Sequence, residues 1–346
     1  MIEHDCDCAT RLIEHLMTAT PAAIQQAAAI LESSGLVAFP TETVYGLGAD
    51  AENPEAVAAI YAAKGRPSNH PVIVHLAPEA DLGYWAKEIP VEARKLIEAF
   101  WPGPLTLILK RADHIPSAVS GGQDSIGLRC PSHPVAQALL RAFKSGKGGI
   151  AAPSANKFGH VSPTTAQHVR DEFGAELVCI LDGGQSQVGI ESTIIDLSRG
   201  TVALLRPGQI SAQQIASVVG VWPQAPDITA PRVSGALDSH YAPHTPVALV
   251  ALENLQAVIG EMHQRGLRVA LIQRAVQPFA GTITQHIMPS DAVGYAHEMY
   301  AALREMDLTG GDIILIEAPP QGDQWIGIND RLRRAAFGSS NVLDKS

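Results

Sequence analysis

The sequence predicts an α/β (α+β) protein built on a mixed, twisted sheet with flanking helices, followed by a small Rossmann-like α/β unit. Apolar residues make up 46% of the 346 residues, which is enough to form a core and excludes a mainly disordered chain. Strand-like apolar runs outnumber helical stretches, and some follow one another directly, so a strict alternation of strand and helix does not fit. Beyond residue 246 strands and helices do alternate.

The first elements are predicted by helix caps and short apolar runs. Thr20 and Pro21 open an Ala-rich helix that Gly35 ends, and Asn53-Pro54 opens a second helix that ends near Lys64-Gly65. Further helices are expected near 79–86, 91–100, 134–143 and 164–173. Strands are expected at 36–40, 72–76, 105–110, 125–130, 149–152, 177–182, 192–197 and 201–205.

The carboxyl-terminal part is predicted to form a separate unit. A short helix at 212–219 leads into an irregular, Pro- and Ser-rich run, which is either a linker or a functional loop. The unit that follows has strands at 247–251, 268–273, 282–288 and 312–317 and helices at 254–265 and 291–306. It has no GxGxxG motif, which argues against a dinucleotide site. We therefore expect an N-terminal extension (1–19), a main domain (20–211), a linker or lid (212–246) and a small accessory domain (247–346).

Charge and composition narrow the functional class. With 25 Lys and Arg against 35 Asp and Glu, the net charge is −10, so an extended basic surface for nucleic acid is excluded and any anion site must be local. No apolar run approaches the roughly 18 residues of a membrane span, and the acidic N-terminus does not resemble a secretory signal. We expect a cytoplasmic protein without membrane contact, in which Cys130 and Cys179 are buried thiols.

Common catalytic motifs are missing from the sequence. It contains no GxxxxGK[ST], HExxH or GxSxG pattern, and the isolated Gly46-Leu47-Gly48 is interpreted as a tight turn. Cations and hydroxyl groups instead stand at the ends of the predicted strands and helices, in the runs TETVYG (41–46), KGR (64–66), SIGLR (125–129), AAPSAN (151–156), SPT (162–164), GIEST (189–193) and LRPG (205–208).

These polar residues have structural alternatives that differ in strength. The hydroxyl residues serve turns and caps equally well, Lys64 and Arg66 suit a solvated helix end, and His75 suits a buried, hydrogen-bonded position. Arg129 and Arg206 are harder to explain in this way, because an arginine in an apolar strand requires an anionic partner. Together these residues predict a pocket for a polyanion such as a nucleoside triphosphate, which a carboxylate-bearing ligand could share.

The same segments carry a family resemblance. The blocks, in order, are PTETVYGLG (40–48), KGRP (64–67), WPGPLT (101–106), GLRCP (127–131), AAPSAN (151–156), SPT (162–164), ESTI (191–194), LLRPG (204–208) and HYAP (240–243). Over about residues 20–243 the chain resembles the threonylcarbamoyl-AMP synthases of the YrdC superfamily, in their longer two-domain form. The region after 245 resembles the accessory domain of that form by position and pattern. The resemblance implies a YrdC-like fold for the main domain.

The resemblance also implies a reaction and its participants. L-threonine, bicarbonate and ATP would give L-threonylcarbamoyl-AMP, pyrophosphate and water, with Mg2+ accompanying ATP. A downstream tRNA threonylcarbamoyl transferase would then use the adenylate to modify the adenosine beside the anticodon. Such catalysis needs mainly positioning and charge neutralisation.

Site residues follow from the resemblance position by position. ATP would contact Lys64, Arg66, His70, Ser125, Ser154, Asn156, Ser162, Arg206 and Tyr241, with Lys64 and Arg66 carrying the catalysis. L-threonine would be held by Thr43, His75, Arg129, the backbone at Ala152, and Ser192, with Arg129 pairing its carboxylate. His70 departs from the family pattern, which has an amide or a lysine there. Tyr241 can reach the nucleotide only if the segment 212–246 folds back over the site.

Two rival functions are compatible with parts of the sequence. A non-catalytic RNA-binding protein of the same fold is disfavoured by the acidic charge and the lack of interleaved aromatic residues, although a weak RNA contact remains compatible with the synthase. Chemistry with carbamoyl phosphate, as in hydrogenase maturation proteins, would require acylphosphatase-like and zinc-finger segments that this sequence lacks.

Overall fold

The computed structural model describes residues 16–235 and 240–339, so most of the predicted N-terminal extension lies outside the described residues. The helices are α1 (Pro21–Glu32), α2 (Pro54–Lys64), α3 (Leu82–Trp85), α4 (Val91–Phe100), α5 (Pro134–Ala142), α6 (Ala166–Phe173), α7 (Ala212–Val219), α8 (Leu255–Gln264), α9 (Ala292–Asp307) and α10 (Ile326–Ala336). The strands are β1 (Leu16–Thr18), β2 (Val37–Phe39), β3 (Gly46–Asp50), β4 (Ile73–Leu76), β5 (Leu105–Lys110), β6 (Ser125–Arg129), β7 (Gly149–Ala151), β8 (Ile180–Asp182), β9 (Thr193–Asp196), β10 (Ala203–Arg206), β11 (Val247–Val250), β12 (Val269–Gln273), β13 (Thr282–Ile287) and β14 (Ile313–Glu317).

A ten-stranded mixed sheet forms the larger part of the protein, in the order β1-β8-β2-β3-β7-β4-β6-β5-β9-β10. The sheet contains parallel pairs such as β4 with β6 and antiparallel pairs such as β5 with β6, which confirms the predicted mixed sheet. Successive residues of a strand point to opposite faces of the sheet, so each face packs against its own layer of helices. Val37 and Phe39 pack with α1 and α5, whereas Ala38 between them belongs to the core beneath α2 and α4.

Two strands of this sheet differ from the sequence-based expectations. Leu16–Thr18 pairs in parallel with β8 at the edge of the sheet, so part of the predicted extension belongs to the ordered fold. Gly46-Leu47-Gly48, interpreted as a tight turn, is the start of the fully buried strand β3. The glycine at 48 is needed for close packing, since a Cβ there would lie 2.8 Å from both Ile150 and Phe39.

A second sheet, in the order β11-β14-β12-β13, is parallel throughout and carries α8, α9 and α10. The helix α10 has no counterpart in the sequence-based assignment. A shared apolar cluster joins the two sheets: Val44, Val188 and Ile190 of the first part pack with residues of α9 and α10, and Tyr241 belongs to the same cluster. Among the described helices, none combines the length and apolarity that crossing a bilayer requires.

Candidate active site

A cavity with about 590 Å³ of empty volume opens beside the large sheet. Strand ends position its walls, because the turn between β2 and β3, the residues after β7, those before β9 and the last residue of β10 all converge there. Its lining residues are Thr41, Thr43, Val44, Tyr45, Gly46, Lys64, Arg66, Ile73, His75, Arg129, Ala152, Pro153, Ser154, Phe158, Glu191, Ser192, Arg206, Ser234, Gly235, His240 and Tyr241.

Most of the residues that the sequence nominates line this one cavity. They are Thr43, Lys64, Arg66, His75, Arg129, Ala152, Ser154, Ser192, Arg206 and Tyr241. The irregular segment reaches the same place, since Ser234, Gly235, His240 and Tyr241 are part of the wall.

Four nominated residues lie around the cavity and are not among its lining residues. His70 is half-buried and packs edge-to-face on the lining residue Phe158, with ring centroids 5.6 Å apart. Ser125 lines a small adjoining pocket that shares Ile73 and Ser234 with the cavity.

Asn156 and Ser162 act from just outside the wall. The carboxamide nitrogen of Asn156 donates to the backbone oxygens of Lys157 and His160, at 2.8 and 2.9 Å. The hydroxyl of Ser162 donates to Glu191 Oε1 at 2.6 Å. Both side chains therefore stabilise the conformation of the cavity wall without lining the cavity.

Lys64 is a buried cation without an acidic partner among the described hydrogen bonds. Its Nζ donates to the backbone oxygens of Asn156 and, at 2.6 Å, Ser154. Burial and the neighbouring Arg66 hold the pKa of Lys64 well below its ordinary value. The expectation of a solvated helix end is wrong for Lys64, because α2 ends against the cavity and leaves the side chain 3% exposed.

Arg66 and Arg206 are held by neutral groups. Arg66 Nη2 donates to the backbone oxygen of Pro71 and to Ser234 Oγ, and burial lowers its pKa to about 10. Arg206 donates to the backbone oxygens of Ser192 and Ser234 and to Ser192 Oγ. Burial also lowers the pKa of Arg206. An anionic ligand would stabilise the charged forms of these side chains, because it would offset their desolvation and their mutual repulsion.

Arg129 differs because its anionic partner is in the chain itself. Its Nη2 lies 2.7 Å from Glu42 Oε1 in a pair that is almost fully buried, and its Nη1 donates to Thr43 Oγ1 at 2.9 Å. The Nη2 and Oε1 atoms are within ion-pair distance but are not aligned as a hydrogen bond. The guanidinium therefore keeps a donor for a ligand carboxylate while Glu42 fixes its position.

Three neutral side chains in the wall each have a buried polar atom without a hydrogen-bond partner in the described part of the chain. These atoms are His75 Nδ1, His240 Nδ1 and Tyr241 Oη. Burial lowers the pKa of His75 and of His240 to about 3, so both imidazoles are neutral at neutral pH. Buried polar atoms of this kind are costly unless a ligand or water satisfies them.

Several residues of the site have no role in the sequence-based analysis. Glu191 lines the cavity, and its Oε2 accepts hydrogen bonds from Tyr300 on α9 and Arg331 on α10. Ser234 and His240 were within the irregular segment but were not singled out. The ESTI block gave a signal for Glu191, whereas Arg331 lies on a helix that was not assigned and gave none.

The donor set at the cavity suits phosphate oxygens better than a bare metal ion. Within residues 16–235 and 240–339, no cluster of three or more His, Cys, Asp or Glu side chains is arranged to hold a metal. Both carboxylate oxygens of Glu191 already accept hydrogen bonds from protein groups. Mg2+ as a companion of ATP, expected from the resemblance, stays a prediction.

Comparisons with known proteins match the chain over almost its whole length. Residues 29–208 match the Sua5_yciO_yrdC family model, described as "Telomere recombination". Residues 210–337 match the model described as "Threonylcarbamoyl-AMP synthase, C-terminal domain".

Relatives from bacteria and archaea cover both parts of the chain. A threonylcarbamoyl-AMP synthase of Bacillus subtilis is 40% identical over 91% of this chain and 93% of its own length. One of Pyrococcus abyssi is 37% identical over 90% of this chain and 94% of its own length. The crystal structure of P. abyssi Sua5 complexed with L-threonine superposes with a TM-score of 0.85 at 36% identity, covering 93% of this chain and 96% of that one.

Proposed function

Because this chain belongs to the threonylcarbamoyl-AMP synthase family, we propose that it makes L-threonylcarbamoyl-AMP from L-threonine, bicarbonate and ATP, releasing pyrophosphate and water. The observation that carries the proposal is the convergence of Lys64, Arg66, Arg129 and Arg206 on one cavity of an acidic protein. A site of this charge fits a substrate that has several negative groups.

The triphosphate of ATP is proposed to lie against Lys64, Arg66 and Arg206. Burial lowers the pKa of each, and none has a carboxylate hydrogen-bond partner among the described residues. Tyr241 Oη, which has no hydrogen-bond partner among the described residues, is proposed to contact the nucleotide. Ser125 in the adjoining pocket is proposed to contact the adenosine side of ATP.

L-threonine is proposed to lie at Thr43, His75, Arg129, Ala152 and Ser192. The P. abyssi relative complexed with L-threonine supports this substrate. Arg129, steadied by Glu42, would pair the substrate carboxylate, and the neutral His75 would offer Nδ1 as a hydrogen-bonding group that carries no charge at neutral pH.

The chemistry proceeds in two steps. Bicarbonate takes up a proton and loses water to give CO2. The free amine of threonine attacks the carbon of CO2, and loss of the amine proton, which balances the one taken up, gives an N-carboxylate. One oxygen of this carboxylate then attacks the α-phosphorus of ATP, and the bond to the β-phosphate oxygen breaks to release pyrophosphate. Lys64, Arg66 and Arg206 would stabilise the charge that develops on the phosphates, and Mg2+ bound with ATP would supply further positive charge.

The product is an activated adenylate, so we propose that a separate tRNA threonylcarbamoyl transferase consumes it, in the cytoplasm. The free, buried thiols of Cys130 and Cys179 support a reducing compartment. An RNA-binding protein of the same fold is not favoured, because Lys64, Arg129 and Arg206 are buried and the net charge is −10.

The test is pyrophosphate release from ATP and Mg2+, with L-threonine and bicarbonate added separately and then together. Release that requires both supports the proposal, whereas release indifferent to threonine contradicts it. Arg129→Ala and Lys64→Ala should abolish the release. Lys110→Ala, which removes a cation whose side chain is 46% exposed on the same sheet, is the matched control and should leave it unchanged.

A further inference from the structure

Helices α9 and α10 pack closely against the segment that carries Glu191. A Cβ on Gly189 would meet the backbone oxygen of Ala296 on α9 at 2.2 Å. At the start of α10, a Cβ on Gly327 would lie 3.2 Å from Gly208. Glycines at these positions allow the helices to approach the backbone on either side of the cavity wall.

One side chain of α10 reaches Glu191, which lines the cavity. Arg331 is completely buried, and its Nε donates to Glu191 Oε2 at 3.0 Å. Its other nitrogens donate to the backbone oxygens of Glu191 and Pro207 and to Asp330 Oδ2. The guanidinium also lies over the ring of Tyr241, with Cζ 5.7 Å from the centroid.

Glu191 is an electrostatic problem for a phosphate site. Its carboxylate lines the same cavity as Lys64, Arg66 and Arg206, and an uncompensated negative charge there would repel ATP. Burial opposes its ionisation, but Arg331 and Arg206 lower the pKa of Glu191, so the carboxylate is charged at neutral pH. Its other oxygen accepts the hydroxyl proton of Ser162.

We propose that Arg331 is a positioning residue of the ATP site, supplied by the second domain. It neutralises Glu191 and supports the ring of Tyr241, so the nucleotide half of the cavity is complete only when α10 is docked. The described contacts of Arg331 include no residue of the threonine half, although Ser192 directly follows Glu191 in the chain, so we expect a smaller effect on threonine than on ATP. This assignment rests on the proposed function and gives the second domain a part in it.

The test compares Arg331→Met with Arg331→Lys and with the double variant Glu191→Gln, Arg331→Met, all in the full-length chain. ATP affinity is measured by calorimetry without turnover, and the KM values for ATP and L-threonine are measured by pyrophosphate release. Arg333→Met is the matched control, since this arginine is on the same helix but its side chain is 56% exposed.

Loss of charged hydrogen bonds at Glu191 should weaken ATP binding about tenfold or more in Arg331→Met, while the KM for threonine changes little. Arg331→Lys should recover part of the affinity, and the double variant should bind ATP better than Arg331→Met because no unpaired carboxylate remains. Arg333→Met should bind ATP as the parent does.

If Arg331 has a purely structural role, Arg331→Met should lower thermal stability and raise both KM values together. That result, or an unchanged affinity for ATP, overturns the proposal. If Arg331→Met does not fold, the lysine and double variants carry the comparison. Failure of the parent protein to release pyrophosphate would instead refute the proposed function, while the calorimetric ATP comparison would still test Arg331.

Discussion

The buried pair between Arg129 and Glu42 allows a quantitative test of how the threonine half of the site is built. The variant Glu42→Gln keeps the size of the side chain and an oxygen that can accept from Ser132 N, but it removes the charge that faces Arg129. The pair is 2.7 Å apart, and its side chains are 5% and 3% exposed. Removing one partner of such a pair leaves a buried charge uncompensated, which typically costs about 3–5 kcal/mol.

We expect the free energy of unfolding to fall by about 3 kcal/mol, the lower end of this range, because Thr43 Oγ1 and the backbone oxygen of Gly103 still accept hydrogen bonds from Arg129. Urea unfolding measures this loss. At one fixed concentration, L-threonine should stabilise Glu42→Gln more than the parent, since its carboxylate replaces the missing anion and binding is tighter; a protein at a hundredfold excess over its own Kd gains about 2.7 kcal/mol.

The exposed pair of Arg141 with Glu79, 2.8 Å apart, supplies the control. Glu79→Gln should leave both stability and the response to threonine unchanged, because solvent screens such pairs. A Glu42→Gln protein as stable as the parent, or one that L-threonine fails to stabilise, would refute the assignment of Arg129 to the substrate carboxylate.

Three further outcomes follow from the buried groups of the cavity. ATP should raise the lowered pKa of Lys64, so binding takes up protons at a pH between the pKa of the free and of the bound protein. Calorimetry across a pH series, in buffers of different ionisation enthalpy, should find this uptake absent in Lys64→Met. Because the pKa of His75 falls from 6.5 to about 3 in the folded state, the unfolded chain binds the extra proton, and stability should decrease as pH falls through that interval, less steeply in His75→Phe. Tyr241→Phe removes only the unpartnered hydroxyl, so it should weaken ATP binding, measured by calorimetry, without lowering the melting temperature.

The sequence predicts most of the strands because they are short apolar runs bounded by Gly, Pro or charged residues. It misses β3, since the glycines at 46 and 48 resemble a turn and only the packing against Phe39 and Ile150 shows why they are glycines. It also misses α10, which carries three arginines among its eleven residues, although the helix is anchored by buried Ile328 and Leu332.

Site residues can be predicted where a single segment of the sequence shows an unusual pattern. Strand-end cations such as Arg206 stand out, because an apolar strand offers them no partner. Pairings between distant segments give no such signal, so the expectation of a ligand anion for Arg129 did not anticipate Glu42 within the chain. The partnership of Glu191 with Arg331 depends on docking of two domains and is visible only in three dimensions.

The identity of the product tests the central claim most directly. The full-length protein would be incubated with ATP, Mg2+, L-threonine and isotope-labelled bicarbonate, quenched rapidly and analysed by mass spectrometry, with Arg129→Ala alongside. We predict an adenylate that contains threonine and one labelled carbon, formed together with pyrophosphate and absent from the variant. Pyrophosphate or AMP without a labelled adenylate, or the same product from Arg129→Ala, would contradict the assigned reaction and the role of the cavity in it.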